Sequence, residues 1–419
     1  MAPATTATTP STDHRSAVGL FSRLRTAKGQ ADPFPIYSEL RSMGGVVAAP
    51  WGGHVVTSFD LCDQVLRSRD WLEPDASWRD RQGTGTRWTA PSAREMSRTL
   101  PALNPPDHTL VRRSAGSMFD RASLGRFRET VTGITRRLLD GLGEQLRHGE
   151  ADLSALVSDE LPVATIGEWL QLPAEDYPLL RELTHDQVFA QELLPSASQL
   201  AKSDASTAQL RAYFVGLVRE RRKNPGPDPV SRWIATWDEI EDIPEVADEA
   251  VYFLALFVLL AALETTSTLL STTALLLLER PDQWSWLASH PAYVPAAVEE
   301  ALRYDPPTHV ISRIARADCT LGGVPVKADE MVHLMVGAAN RDPARHQDAE
   351  LFDLHRKAAH LSFSGGIHYC LGAPLARLEA QTLLHELLRR FPRLTLARTP
   401  QWEPRVAFRR LTALHVALD

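Results

Sequence analysis

The chain has 419 residues, with 52 acidic against 45 basic side chains and a formal net charge of −7. That balance argues against a nucleic-acid partner. The three cysteines, Cys62, Cys319 and Cys370, are too few and too odd in number for a disulfide framework, which fits a reducing cytoplasm.

In chain order, residues 1–16 are rich in Ala, Thr and Pro and have no basic start leading into an apolar stretch. They read as a disordered tail rather than a signal peptide. Residues 17–419 read as a single domain. Short β-rich pieces at Val46–Thr57 and Thr320–Val336 carry Gly-Gly turns at Gly44-Gly45, Gly52-Gly53 and Gly322-Gly323. Asn224-Pro225-Gly226-Pro227 marks a loop between helices. Asp242-Ile243-Pro244-Glu245 resembles a helix cap, and the helical pattern then continues to Arg280. That is about 37 residues, or on the order of 55 Å. The segment is apolar nearly all round, which predicts a helix buried on most sides and crossing the centre of the molecule. Its longest apolar run, Val251–Leu263, is shorter than the roughly 18 residues a bilayer span needs, so no membrane attachment is expected. The last helix presents Leu384, Leu387, Leu388 and Phe391 on one face and stops at Pro392; Thr395–Leu418 reads as short strands. The sum is a mainly α chain with a minor β subdomain, no βαβ alternation and no internal repeat.

Several groups of residues could carry chemistry. Cys370 follows a glycine-rich turn and precedes Pro374, which suits the first turn of a helix. The glycines let backbone pass close to a flat ligand, and the positive helix end favours a thiolate. The plainer alternative is a small buried cysteine. Glu264-Thr265-Thr266 lies in the middle of the long apolar segment, where a carboxylate is costly unless paired or hydrated. It is either a satisfied polar pair, with threonines bonding back to the preceding turn, or a proton-moving pair. Glu300 and Arg303 share a helix face, as do His108 and Arg112. Between Trp71 and Leu100 lie Trp78 and Trp88 with Arg79, Arg81, Arg87, Arg94 and Arg98. These make either a solvated entrance loop or a grip on an apolar substrate that bears an anion.

The segment from Phe363 to Arg377 resembles the haem-ligand loop of the cytochromes P-450, F-x-x-G-x-x-x-C-x-G, with matches at Phe363, Gly366, Cys370 and Gly372. Ser364 stands where many bacterial members have glycine. Ala261–Thr265 resembles the A-G-x-[DE]-T segment, with Ala262 in place of the glycine. Glu300-x-x-Arg303 resembles the E-x-x-R motif, whose pair locks with a downstream arginine or asparagine. The resemblance runs from about Asp32 to the end. It implies the triangular P-450 fold, with haem b held noncovalently between the long helix and the cysteine loop. It implies Cys370 as the proximal iron ligand, with Phe363 near the sulfur. It implies His108, Arg112, Arg313 and His368 at the haem carboxylates, Ala261 and Gly372 against the haem, and Glu264 with Thr265 relaying protons. The implied reaction inserts one oxygen atom from O2 into a C–H bond or C=C of a small organic molecule, in bacterial specialised metabolism. The substrate is free or carrier-protein-bound, and electrons come from a ferredoxin and its reductase. Substrate contacts are expected from Trp71–Leu100, Val188–Leu210, Thr308–Ile311 and Phe408. The alternatives are a peroxide-driven haem-thiolate oxygenase and a non-catalytic haem-binding protein; the acid–threonine pair argues against both.

Overall fold

The computed structural model describes residues 14–83, 87–116, 121–357 and 359–419. The expected tail lies outside the described residues except for positions 14–16, which begin the helix His14–Leu24.

The long apolar segment forms one continuous helix, Pro244–Leu278, of 35 residues. The capping residue is Ile243, not Asp242, and it makes no side-chain capping bond; Pro244 occupies the first turn. The helix is apolar on all sides because neighbours surround it: Glu160–Leu170, Ala197–Lys223, Pro229–Asp238, Val294–Tyr304 and Ala373–Arg390 all pack on it. It is long and apolar enough to cross a membrane, but most of that stretch is buried inside the protein. Its two halves serve different apolar clusters. Ala247–Leu263 packs with Leu210, Phe214 and Trp233, while Leu269–Leu278 packs with Leu383, Leu387 and Leu142. Each fully buried leucine contributes about 1.5–3 kcal/mol. The polar step Glu264–Thr268 falls between the clusters, at the middle of the molecule.

The β portion is a five-stranded sheet in the order Val46–Ala48, His54–Val56, Met331–Met335, Val310–Ala315, Trp71–Leu72. Only His54–Val56 and Met331–Met335 run parallel, with Val55 opposite His333. A smaller sheet pairs His415–Leu418 with both Glu150–Asp152 and Leu394–Leu396. The C-terminal β pieces therefore form as the sequence predicts. Trp71–Leu72 and Glu150–Asp152 are too short to leave an alternating pattern.

Glu300 and Arg303, both fully buried, lie on Val294–Tyr304. Arg303 donates from Nε and Nη2 to the Glu300 carboxylate at 2.8 Å each. Its remaining N–H groups reach the carbonyls of Asn340, Ala349 and Leu351. Arg356 closes the set at 3.2 Å from Glu300 Oε1. One guanidinium thus ties the helix to three turns of the loop that leads to Cys370. Glu300→Ala should destabilise the protein by roughly 3–5 kcal/mol, because it strands a buried guanidinium. The denaturant midpoint of the purified variant measures this.

Candidate functional site

Between the central helix and the segment around Cys370 lies a cavity of about 420 Å³. That is within the roughly 300–1,000 Å³ usual for small-molecule sites. The loop beneath it is held by backbone geometry. Gly366 has φ +60°, and a side chain there would put Cβ 2.5 Å from the Leu66 carbonyl oxygen, so only glycine fits. Ser364 also takes φ +60°, at the position where glycine is common in the resembled loop. The Cys370 N–H donates to the Phe363 carbonyl at 2.8 Å, closing the loop over the buried Phe363 ring. Gly372 then caps the helix Ala373–Arg390, with Pro374 in its first turn. A Cβ on Gly372 would meet nothing within 4 Å, so its missing side chain leaves open space on the cavity wall.

Burial pushes the Cys370 thiol up, against the N–H groups of Gly372 and Ala373 and the cations Arg112 and Arg377. The helix end does not by itself produce the expected thiolate. A bound metal would, because coordination deprotonates a thiol outright.

Along one edge of the cavity the four predicted cationic residues come together. The rings of His108 and His368 are 4.3 Å apart. Arg112 donates to the Tyr369 carbonyl at 2.8 Å. Arg313 meets the Glu73 carboxylate at 2.6 Å, and His368 lies 3.9 Å from the same carboxylate. Burial, with Arg313, His108 and Arg112 next in weight, pushes His368 down to about 2; His108 is lowered by burial and by Arg112. His108 Nε2 is buried with no hydrogen-bond partner among the described residues. A thiol on the floor, open space at Gly372 and carboxylate-binding groups at one edge, one of them unsatisfied, fit a flat metal macrocycle that carries carboxylates.

On the opposite wall Ala261, Ala262 and Thr265 face the cavity. Thr265 Oγ1 donates back to the Ala261 carbonyl at 2.8 Å, and the helix runs unbroken past Ala262. Glu264 also borders the cavity, but its carboxylate is engaged behind the helix. Arg405 Nη1 donates to Oε1, Arg410 lies 3.6 Å from Oε2 and His185 3.9 Å from Oε2. No hydrogen bond joins Glu264 to Thr265 among the described residues. Burial and the two arginines push His185 down to about 2, so it is neutral. All ten predicted site residues border this cavity, and the aromatic and polar residues of the expected substrate segments are only partly there. Trp88, Leu100, Thr308, Ile311 and Phe408 line it; of Val188–Leu210, only Val188, Ala190 and Gln191 do.

Sequence reasoning missed Arg405, Arg410 and Glu73, whose partners are far away in the chain. It also missed Glu379, nine residues beyond Cys370. Glu379 is buried, borders the cavity, and its Oε2 has no hydrogen-bond partner among the described residues. Burial alone pushes it up to about 8. Between the ordinary carboxylate value and about 8 the native state holds a proton that the unfolded chain has released, so stability falls as pH rises through that window. Glu379→Gln removes this loss. Its melting temperature should exceed that of the parent by a margin that widens from about pH 5 to about pH 8, as read by thermal melts across that range.

Comparison with known proteins agrees with this geometry. The Cytochrome P450 family model matches residues 188–405. The erythromycin C-12 hydroxylase of Saccharopolyspora erythraea is 34% identical over 78% of this chain and 88% of its own. Nocardicin C N-oxygenase of Nocardia uniformis is 33% identical over 89% of this chain and 92% of its own. Among solved structures, P450BioI in complex with an acyl carrier protein ligated to hexadec-9Z-enoic acid superposes with a TM-score of 0.86. It has 27% identity and covers 94% of this chain and 100% of that one. With a haem-thiolate site that its own residues fit, the chain belongs to the bacterial cytochrome P450 family and is a monooxygenase.

Proposed function

We propose that residues 17–419 act as one cytoplasmic domain that holds haem b without a covalent bond and oxidises a small organic substrate. Cys370 is the proximal ligand, and His108, Arg112, Arg313 and His368 bind the haem carboxylates. The observation that carries this reading is that Cys370 and Thr265 border one cavity whose edge gathers the four carboxylate-binding residues. When bound, the haem supplies dioxygen activation and transfer of one oxygen atom.

The chain's own residues do the rest. Thr265 turns its hydroxyl from the Ala261 carbonyl into the cavity and presents a proton there at Oγ1. Glu264 holds the end of a polar route that passes His185 and Glu403, whose Oε1 lies 3.5 Å from His185 Nε2. Leu254, Val258 and Ile311 keep bulk water from the apolar wall that receives the substrate. Electrons come from a ferredoxin and its reductase, docking on the face near Cys370. The carrier-bound relative supports a substrate presented on a carrier protein as readily as a free one.

Two measurements test this. The reduced carbon monoxide complex of the purified protein should show the red-shifted Soret band of thiolate ligation, and Cys370→Ala should lose it. A variant that keeps the band removes Cys370 as the ligand. Thr265→Ala should lower product formed per reduced pyridine nucleotide consumed, with the coupled rate falling roughly 10²-fold or more. Unchanged coupling assigns the proton delivery elsewhere, and turnover with peroxide alone at the rate of the full redox chain favours the peroxide-driven alternative.

A further inference from the structure

Six arginines are buried among the described residues: Arg79, Arg303, Arg313, Arg341, Arg405 and Arg409. Five of them meet a carboxylate. Arg303 is 2.8 Å from Glu300, Arg313 2.6 Å from Glu73, Arg341 2.9 Å from Glu350 and Arg409 3.3 Å from Asp305, and Arg405 is bonded to Glu264. Among the described residues Arg79 has no carboxylate within ion-pair distance. Its Nε and Nη1 donate to the carbonyls of Pro74 and Ala93, at 2.8 and 2.6 Å. A buried cation balanced only by carbonyl dipoles is uncommon, because its desolvation is left largely uncompensated.

Arg87, which is half-buried, is likewise met by a carbonyl. Its Nη1 donates to the Glu192 carbonyl, and it too has no carboxylate partner among the described residues. Both guanidiniums lie over the ring of Trp88, Arg79 at 5.3 Å and Arg87 at 3.9 Å from its centroid. None of the nearby acids pairs with either arginine. Glu73 is held by Arg313, Asp75 by the Trp78 N–H and Asn104, and Glu192 Oε1 by the N–H groups of Leu193, Val406 and Ala407, while Glu192 Oε2 has no hydrogen-bond partner among the described residues. Burial pushes Arg79 and Arg87 down to about 10 each, which leaves both charged at neutral pH. The other arginines of this segment behave differently: Arg81 pairs with Asp329 and Arg98 with Glu249, both at the surface.

Position adds a second observation. Arg79, Arg87 and Trp88 all border the cavity that contains Cys370 and Thr265. Arg87 and Trp88 also border a neighbouring cavity of about 450 Å³, lined by Trp51, Leu194 and His333. The unbalanced positive charge therefore stands where the two cavities meet. Beyond it the inner cavity is walled by Leu254, Val258 and Ile311.

We propose that Arg79 and Arg87, stacked on Trp88, form an oxyanion site, and that the substrate is an amphiphile. Its anionic end rests on the two guanidiniums and its apolar body points along the central helix towards Cys370. The proposal rests on the functional reading above and specifies its substrate class. The anion is a carboxylate at the end of a free acid or the phosphate of a carrier-protein arm; both match the guanidinium fork. The pair fixes which part of the molecule lies near the reacting centre.

The test is an optical binding titration of the ferric holoprotein with two matched pairs of probes. Dodecanoate is compared with dodecan-1-ol, and S-dodecanoyl pantetheine 4′-phosphate with S-dodecanoyl pantetheine. At least one anionic probe should bind roughly tenfold or more tighter than its neutral partner, as a charge-assisted contact implies. The pair that shows the preference identifies the source of the anion. Arg87→Gln keeps a donor for the Glu192 carbonyl and removes the charge, and it should bring that ratio close to one. Arg79→Gln should do the same; should it fail to fold, the Arg87 variant decides. Equal binding of charged and neutral probes, no binding of either anionic probe, or a preference that survives Arg87→Gln overturns the site. The carbon monoxide spectrum of the same samples separates this from failure of the haem-thiolate reading. A normal thiolate band with no anion preference sinks only the oxyanion site.

Discussion

Glu264 lies on a helix whose neighbours are leucines, valines and alanines, where an unpaired carboxylate would be held at large cost. Arg405 and Arg410 come from near the end of the chain to meet it, and each is held in turn by Glu403, with Asp159 bonding Arg410. Asp159 also accepts from Ser267, one turn along the helix from Glu264, and Thr268 donates to the Arg409 carbonyl. A polar belt thus crosses the molecule between the two apolar clusters. Such a belt adds little net stability, but it fixes where segments go, because breaking any one pair strands the others. The path of residues 403–410 follows from it. That path delivers Phe408, bridged to Thr308, to the cavity wall.

The cysteine side is organised by different means. There the backbone sets the geometry: Gly366 against Leu66, the Cys370 N–H on Phe363, and Gly372 at the helix start. The loop is anchored from below by Arg303, which reaches three carbonyls in the segment that precedes it. One wall of the site is therefore placed by charge matching and the other by close backbone packing. A monooxygenase needs both: a rigid ligand on one side, and groups that can exchange protons on the other.

Much of this was legible in the sequence. The cysteine loop and the length of the central helix follow from local pattern, since glycine, proline and apolar periodicity act on neighbours in the chain. His108, Arg112, Arg313 and His368 were legible only through family resemblance, because nothing local says that positions so far apart share one edge. The partners of Glu264 were not legible at all: an arginine after a C-terminal turn looks like any surface cation until the fold brings it inward. Glu379 was hidden for a related reason. On its helix it reads as an ordinary polar position, and only the packing of Ala373–Arg390 against the central helix shows that its buried Oε2 has no hydrogen-bond partner among the described residues. At Cys370 the helix N–H groups that favour a thiolate are visible in sequence, and the burial that opposes them is not.

The bond between Glu264 and Arg405 spans 141 residues of chain. A ribosome adding about 5–20 residues per second needs on the order of 10–30 s to make that stretch. Through that interval the middle of the growing polypeptide carries its most apolar helix with a carboxylate at the centre and neither of its arginine partners yet made. The nascent chain cannot mature piecemeal from its N-terminus. The middle closes only once Arg405 and Arg410 have been made.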